Sequence, residues 1–323
     1  MTEFDWRPGV LPEALRVRGE MLRRIRRYFE KQRVLEVETP ALSRAATTDP
    51  HIGSIAATPR NGPVRYLQAS PELAMKRLLA AGSGDIYQIC RVFRDDESGA
   101  LHNPEFTMLE YYRLGLDHLA LMRDLSALLT EATAGWIGLG EPEYLTYSEV
   151  FSEHVGCDPF RDSAELLALA MSRRGLDVPD SIRDDRDALM DLAMAALVSP
   201  TMGSGRLSFV YDFPPEQAAL ANIRRAETPV AERFEVFLSG AELANGFHEL
   251  VDAGEQRGRF AAELGRRRHL GLPAVPVDER FLAALEAGVP ACSGVAVGLD
   301  RLLMCITGAD HIDQVLAFGW TRI

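Results

Sequence analysis

The stretch from residue 86 to residue 112 constrains the fold of this 323-residue chain more than any other part. Residues 86–94 and 105–112 each alternate between apolar and polar side chains, and the polar loop between them carries Gly99, Asn103 and Pro104. Alternation of this kind, interrupted by turn residues, predicts two antiparallel strands joined by a long loop. We therefore expect a β-hairpin here, and we expect the rest of the chain to be arranged around it.

One face of the predicted hairpin carries groups that suit a nucleotide and an amine. Successive side chains point to opposite faces of a strand, so Phe106, Glu110 and Tyr112 share one face, with Met108 between them. Arg94 stands where the first strand meets the loop. Each residue alone is more often structural, because charged side chains are usually solvated and a strand phenylalanine is usually core. Together they supply a cation for a phosphate, a ring for a purine and a carboxylate for an amine.

Composition and charge limit the classes of function. Of all residues, 47% are hydrophobic and 25% are charged, which is ordinary for a globular protein of one large domain or two small ones. The net charge of −12 disfavours a general nucleic-acid binder. No apolar run reaches the roughly 18–20 residues of a membrane helix, and the first residues lack a secretory signal. Four scattered cysteines without a CxxC pair argue against zinc and disulfides and favour the cytoplasm: Cys90, Cys157, Cys292 and Cys305.

The first forty residues predict a helix followed by a strand. Residues 12–33 have apolar side chains at near-helical spacing, and the opposite side is crowded with arginines. This arginine side is either a solvated face or a docking surface for an acidic macromolecule. Residues 34–39 are expected to be extended, and they end at Pro40.

A second helix is predicted over about residues 73–81, opened by Ser70, Pro71 and Glu72. Capping explains this opening, with serine at the N-cap, proline at N1 and a glutamate that favours the helix dipole. The alternative is that these residues line an amino-acid pocket.

A second hairpin is predicted from residues 233–238 and 242–250, joined at Ser239 and Gly240. Its turn brings Glu235 and Glu242 together, and two carboxylates suit Mg²⁺, which prefers oxygen ligands and keeps several waters. Each glutamate alone is more often a surface charge. A closed pocket containing a carboxylate needs a cation, which a substrate ammonium would supply. Three residues share one strand parity and are expected to line such a pocket: Asn245, Phe247 and Glu249.

The remaining segments predict one more binding element and several structural ones. In residues 292–304 a strand of small residues leads into Gly298, where a ligand can approach the backbone, and then into a helix beginning near Asp300. Arg301 lies in the first helical turn, where anions are favoured. Residues 141–147 are expected to be a polar connection, and residues of about 148–205 a small helical insertion. A strand over 207–212 and a helix over 251–268 complete the prediction.

The hairpin sequence, FRDDE followed by HNPEFTMLEYY, resembles motif 2 of class II aminoacyl-tRNA synthetases in the form found in lysyl-tRNA synthetase. The run GLDRLLM resembles motif 3, and the long helix, strand and Thr-Pro resemble motif 1. The spacing E-x6-E-x2-N-x-F-x-E of the second hairpin is also similar to lysyl-tRNA synthetase. The resemblance implies an α+β fold, in which the antiparallel sheet of a class II catalytic core is flanked by helices. It implies a single catalytic domain over residues 1–323, with the helical insertion at about 148–205.

The resemblance also implies roles for individual residues, catalytic ones for Arg94 and Arg301. The residues implied to bind ATP are Arg94, Asp95, Asp96, His102, Asn103, Phe106, Glu242, Leu243, Gly298 and Arg301. Those implied to bind the amino acid are Ser70, Pro71, Glu72, Glu110, Tyr112, Asn245, Phe247, Glu249 and Ala296. The pair Glu235 and Glu242 is implied to hold ATP-bound Mg²⁺, so ATP and Mg²⁺ are the expected cofactors.

Within this group, the chain resembles the elongation factor P–lysine ligases, which are paralogues of lysyl-tRNA synthetase. The motif 1 helix begins near residue 12, so we expect no anticodon-binding domain, and tRNA is not the expected substrate. The resemblance implies activation of (R)-β-lysine or lysine, transfer to a lysine of translation elongation factor P, and a homodimer built through motif 1. Lysyl-tRNA synthetases have glycine at the position of Ala296 and commonly alanine at Ser70, and a pocket change of this size shifts selectivity by about 1–3 kcal/mol.

One departure and three alternatives remain open. The usual Arg-Asn-Glu of motif 2 is here Arg94, Asp95 and Asp96, so a contact from Asp96 to the adenine amino group would be one methylene shorter. The alternatives are an enzyme that makes an aminoacyl-adenylate for another acceptor, a truncated lysyl-tRNA synthetase, and a non-catalytic synthetase-like binding protein. The retained arginines and metal carboxylates argue against the last of these.

Overall fold

The computed structural model of the chain describes residues 6–95 and 97–323. Its helices are α1 (Pro12–Gln32), α2 (Glu72–Ala80), α3 (His118–Thr133), α4 (Tyr147–Val150), α5 (Ala164–Arg173), α6 (Arg186–Ala193), α7 (Ala253–His269), α8 (Glu279–Gly288) and α9 (Leu299–Thr307). Its strands are β1 (Leu35–Glu36), β2 (Leu42–Ser43), β3 (Ala56–Ala57), β4 (Arg65–Leu67), β5 (Ile86–Phe93), β6 (Glu105–Leu114), β7 (Glu143–Thr146), β8 (Ser208–Phe213), β9 (Ile223–Arg224), β10 (Val230–Leu238), β11 (Ala241–His248) and β12 (Cys292–Gly298).

In the described part of the chain, nine strands form one sheet in the order β1-β5-β6-β12-β11-β10-β8-β7, with β9 added beside β10. The pairing is antiparallel throughout the centre, and parallel pairs occur only where β1 joins β5 and β7 joins β8. Short strands β2, β4 and β3 make a separate small sheet. Helices cover the large sheet, so the α+β class and the central hairpin are as predicted.

One face of the sheet is sealed by α1, α3 and α9. Helix α1 buries Met21, Ile25 and Phe29, which are spaced four residues apart and therefore lie on one side of the helix. Fully burying each such side chain contributes about 1.5–3 kcal/mol. Phe29 stacks on Tyr87 of β5, with ring centroids 4.2 Å apart. Because this face is filled by hydrophobic side chains, a binding site can form only on the other face or at an edge.

The arginine side of α1 is mostly engaged within the chain. Arg18 is part-buried in an ion pair with Asp300 of α9, and Asp300 also accepts the backbone N–H of Thr107 at 2.6 Å. Arg23 and Arg24 both bind Glu20. The Arg18–Asp300 pair fixes α1 against α9 and the central hairpin, and together these contacts explain part of the arginine pattern without a docking partner.

Residues 147–201 contain several short helical segments. They include α4, α5 and α6 with π-helical and 3₁₀ turns between them. Their apolar side chains, among them Phe151 and Leu189, pack in one cluster with Val210 of β8 and Phe237 of β10. The segment is therefore attached to one end of the large sheet.

The structure differs from the prediction in a few segments. Residues 143–146, predicted as part of a connection, form β7, which is stabilised by parallel pairing with β8. Helix α8 had not been predicted. Helix α2 begins at Glu72, one residue earlier than expected, so its N-cap residue is Pro71 and the predicted N-cap role of Ser70 is wrong. The Ser70 hydroxyl accepts the Glu72 N–H at 3.0 Å from one position before the cap. Among the described residues, none of the helices has the length and apolar character required to span a membrane.

Candidate active site

Two adjoining cavities lie against the open face of β6, β12 and β11. The first, which we call the carboxylate cavity, has a volume of about 250 Å³ and contains the three facing glutamates Glu72, Glu110 and Glu249, with Asp49 and Glu263 also in its lining. The second, the arginine cavity, has a volume of about 180 Å³ and contains Arg301. Five residues line both cavities and therefore form the boundary between them: Ile52, Arg94, Met108, Asn245 and Ala296.

A third cavity, of about 600 Å³, is larger but lies to one side, under β2, β4 and the start of α8. It touches the carboxylate cavity through Ala69, Ser70 and Glu72. The two smaller cavities are the candidate site, because buried carboxylates with raised pKa values converge there.

Strand register brings the site residues together. Ala296 of β12 lies opposite Glu110 of β6 on one side and Asn245 of β11 on the other. Two residues earlier, Gly294 lies opposite Tyr112 and Phe247. Alternate residues of a strand share a face, so one surface collects the predicted residues from three strands that are far apart in the sequence.

Gly294 allows two of these side chains to converge. A Cβ atom on Gly294 would lie 2.3 Å from Cε1 of Tyr112 and 2.6 Å from Oε1 of Glu249. Both distances are below van der Waals contact, so any side chain at this position would displace the phenol or the carboxylate. Gly298, by comparison, has nothing closer than 3.7 Å to its Cβ position, which leaves space beside it in the arginine cavity.

Each carboxylate of the carboxylate cavity is held by hydrogen bonds or ion pairs. Glu110 accepts hydrogen bonds from the Ser70 hydroxyl and the Tyr112 hydroxyl, each at 2.6 Å. The ammonium of Lys76 lies 2.6 Å from Oε1 of Glu72 and 2.5 Å from Oε2 of Glu249. The three glutamates are therefore fixed in position before any substrate enters.

Burial and mutual repulsion shift the charges in this cavity. Burial raises the pKa of Glu110 to about 7, and the neighbouring Glu72 adds to the shift. Burial raises the pKa of Glu249 to about 8, although Lys76 opposes this shift. Burial alone would lower the pKa of Lys76, but the adjacent Glu249 and Glu72 outweigh it and the net shift is upward. The cavity thus favours cations and holds one of its own.

The arginine cavity contains two guanidinium groups. Arg94 lies over the ring of Phe106 at 5.2 Å, pairs with Glu97 at 3.3 Å and donates to the carbonyl oxygen of Ala69. Arg301 donates to Nε2 of His102 at 2.6 Å and to the carbonyl oxygen of Glu242 at 2.8 Å.

His102 is neutral in this arrangement. Burial and the adjacent Arg301 lower the pKa of His102 below its usual value, so its ring accepts the arginine hydrogen bond. The guanidinium of Arg301 is thereby oriented by uncharged acceptors, and its ion pair with the carboxylate of Glu242 is long, at 3.8 Å. Such a cationic cavity suits phosphates.

Glu235 and Glu242 lie close enough to repel each other. Burial raises the pKa of Glu235 to about 7, with Glu242 as the next cause, while Arg233 opposes the shift through an ion pair of 2.5 Å. Within residues 6–95 and 97–323 no group of three or more His, Cys, Asp or Glu side chains could hold a metal. A pair of carboxylates fits Mg²⁺, which takes its other ligands from water and substrate phosphates.

Most residues predicted for the site line one of the two cavities, and three of the described ones do not: Pro71, Asp95 and Glu235. Pro71 is buried at the start of α2, and the backbone N–H of Asp95 bonds to the carbonyl oxygen of Gly53. Asn103 and Leu243 line the arginine cavity, Asn103 also accepting the backbone N–H of Trp320. The predicted adenine contact of Asp96 lies outside the described residues.

Three residues at the site were not among the predicted ones. Lys76 is four residues after Glu72 on α2, a spacing that predicts a helix ion pair but not burial. Arg233 has the same strand parity as Glu235, which was its only sequence signal. The sequence signal of Gly294 was its place in the strand of small residues, at alternate positions with Ala296 and Gly298.

Comparison with known proteins agrees with this geometry. The model of the family "tRNA synthetases class II (D, K and N)" matches residues 3–322. A Vibrio cholerae serotype O1 protein named elongation factor P–(R)-beta-lysine ligase is 46% identical over 100% of both chains. Proteins of the same name from Sodalis glossinidius (45% identical, 98% of both chains) and Pasteurella multocida (44% identical, 98% of this chain and 97% of that protein) are also similar.

These relatives are all named as ligases, and they match the chain across both predicted hairpins and the glycine-bearing strand β12. The chain belongs to the class II tRNA synthetase family, and within it to the group of elongation factor P–(R)-beta-lysine ligases.

Proposed function

We propose that the chain activates (R)-β-lysine with ATP and transfers the aminoacyl group to a lysine side chain of translation elongation factor P. The observation that carries this proposal is the junction of the two cavities. A cavity in which three glutamates face each other suits a substrate with two ammonium groups, and it opens at Arg94 into a cavity with cationic side chains for phosphates. The names of the relatives support the same acceptor and amino acid.

In the first reaction, a carboxylate oxygen of the amino acid attacks the α-phosphorus of ATP. The bond from that phosphorus to the bridging oxygen breaks, and pyrophosphate leaves. Arg94 lines both cavities and neutralises charge on the α-phosphate, while Arg301 binds the distal phosphates. Catalysis in this step is positioning and charge stabilisation, without a protein nucleophile.

The remaining residues bind the two substrates. Phe106 offers a ring face to adenine, and Glu249 binds the side-chain ammonium. Glu72, Glu110 and Tyr112 surround the second amino group. Glu235 and Glu242 would hold Mg²⁺, which would neutralise phosphate charge.

In the second reaction, the neutral amine of the acceptor lysine attacks the carbonyl carbon of the adenylate. An amide bond forms, the bond from the carbonyl carbon to the phosphate oxygen breaks, AMP leaves, and the amine loses a proton. We propose that residues 1–323 act as one catalytic domain with an insertion at about 148–205, and that α1 and β1 form a homodimer interface. The enzyme would act in the cytoplasm, where translation factors are found, and would not charge tRNA.

Pyrophosphate exchange with α-lysine, (R)-β-lysine and (S)-β-lysine in parallel tests the first reaction. We expect ATP-dependent exchange, with the highest kcat/KM for (R)-β-lysine. Transfer is then assayed with elongation factor P, lysine tRNA and free amines as acceptors. Exchange without transfer to elongation factor P would indicate another acceptor, and transfer to tRNA would indicate a lysyl-tRNA synthetase. Absence of exchange with every isomer would refute the proposal.

Replacing Glu249 by glutamine should raise the KM for the amino acid about 10- to 100-fold and leave the KM for ATP nearly unchanged. Glutamine keeps the shape of the side chain but removes a charge-assisted contact worth about 1.5–3 kcal/mol. The KM values come from pyrophosphate exchange under saturation of the other substrate. Glu279→Gln, on the exposed start of α8, is the matched control. Equal increases in both KM values would contradict the role of Glu249.

Amino-acid affinity should rise about tenfold or more between pH 6 and pH 8. Glu110 and Glu249, with pKa values of about 7 and 8, hold protons in the empty cavity at pH 6, and these must leave before an ammonium can bind. Both carboxyls have a pKa of 4.5 in the unfolded chain and higher pKa values in the folded one. The free energy of unfolding of the unliganded protein should therefore fall as the pH rises from 4.5 to about 8. The shift in melting temperature caused by (R)-β-lysine, measured at several pH values, is the test. A pH-independent shift would contradict it.

A further inference from the structure

Lys76 is a buried cation within the proposed amino-acid site. Its side chain is 1% exposed and ends between Glu72 and Glu249, with the ring of Phe281 5.8 Å from its ammonium. Lysine is almost never fully buried unless it is paired, and here both of its partners are proposed substrate ligands. The position of the ammonium is therefore linked to the chemistry of the cavity.

The first consequence concerns charge. Glu72, Glu110 and Glu249, which we call the carboxylate cluster, face each other inside one cavity. Within this cluster, one lysine against three glutamates leaves two negative charges when all four groups are ionised. The other two carboxylates that line the cavity accept hydrogen bonds outside the cluster, Glu263 from the Thr48 hydroxyl and Asp49 from the His51 N–H. The two arginines that also line this cavity are paired outside the cluster, Arg94 with Glu97 and Arg233 with Glu235. A diamino acid brings two ammonium groups, which match the charge that Lys76 leaves unneutralised.

The second consequence concerns geometry. Lys76 binds Oε2 of Glu249, so the other oxygen, Oε1, is the one that faces Gly294 and the ring of Tyr112. The same ammonium binds Oε1 of Glu72 one helical turn away. Lys76 therefore fixes which oxygens of two glutamates are left for a ligand.

We propose that Lys76 is a positioning residue that sets the charge and the carboxylate geometry of the cavity, and so makes it selective for substrates with two ammonium groups. This inference rests on the proposed function. Lys76 does not touch the reacting atoms, and it acts through Glu72 and Glu249.

The experiment uses Lys76→Ala with chemical rescue. Alanine removes three carbons and the ammonium, which n-propylammonium replaces with charge and n-propanol replaces without charge. We expect the KM for (R)-β-lysine to rise at least tenfold and the KM for ATP to stay within twofold of the wild type. Added n-propylammonium should restore the amino-acid KM, and n-propanol should not. Arg77→Ala, at the next and exposed position of α2, is the control and should leave both KM values unchanged.

Lys76→Met is the second variant, since methionine fills a similar volume without charge. For it we expect the ratio of kcat/KM for (R)-β-lysine to that for 6-aminohexanoate, which has a single amine, to fall at least tenfold. An unchanged ratio, equal rescue by propanol, or failure of both variants to fold even with n-propylammonium would overturn the inference, because Lys76 would then serve packing alone. Lack of pyrophosphate exchange in the wild type would instead refute the proposed function.

Discussion

Replacing Arg94 by alanine should lower the rate of ATP–pyrophosphate exchange about 100- to 1,000-fold, the usual effect of removing one preorganised group that stabilises transition-state charge. Arg94 lies at the boundary of the two cavities, where the carboxylate and the α-phosphate would meet. The fold should survive, because the side chain is partly exposed and its ion pair with Glu97 is a local one. Exchange assays and thermal unfolding of the same preparation measure both effects.

Arg91→Ala is the matched control for this prediction. Arg91 lies on β5, three residues before Arg94, but its side chain is 52% exposed and pairs with Glu105 at 3.5 Å. Loss of a surface pair of this kind changes stability by less than about 1 kcal/mol, and exchange should be normal. If the exchange rate of Arg94→Ala is within threefold of the wild-type rate, Arg94 is not a catalytic residue.

The alternation in residues 86–112 was enough to predict the central hairpin and the shared face of Phe106, Glu110 and Tyr112. Both strands are long, and their period of two is clear in the sequence. The four-residue strand β7 was missed for the opposite reason. It forms only because β8 supplies a parallel partner at the sheet edge, and that partner is distant in the sequence.

The candidate site also contains contacts that the sequence could not predict, because they depend on packing between distant segments. Sequence similarity could predict the individual glutamates, but the position of Lys76 depends on how α2 packs against α8. An (i, i+4) pair such as Glu72 and Lys76 is usually a surface pair, and only tertiary packing makes it buried. The same holds for Arg18, which looks like one of many surface arginines on α1 but pairs with the buried Asp300.

Replacing Gly294 by alanine should lower kcat/KM for the amino acid about 100-fold or more, since a misplacement of about 1 Å can cost that much. The new Cβ would lie 2.3 Å from the Tyr112 ring and 2.6 Å from Glu249, and neither can stay where it is. Both belong to the buried cavity wall, so overpacking should also destabilise the fold by about 1–3 kcal/mol. Kinetics with saturating ATP and thermal unfolding are the measurements.

Gly298→Ala separates this effect from a general intolerance of strand β12 to side chains. Its Cβ would find the nearest atoms at 3.7 and 3.9 Å, which is ordinary contact, so folding and the amino-acid KM should be preserved. A rise in its KM for ATP would fit the close approach of a nucleotide to Gly298. If Gly294→Ala instead kept a normal amino-acid KM, Tyr112 and Glu249 could move without loss of binding, and neither would be a fixed ligand of the substrate amines.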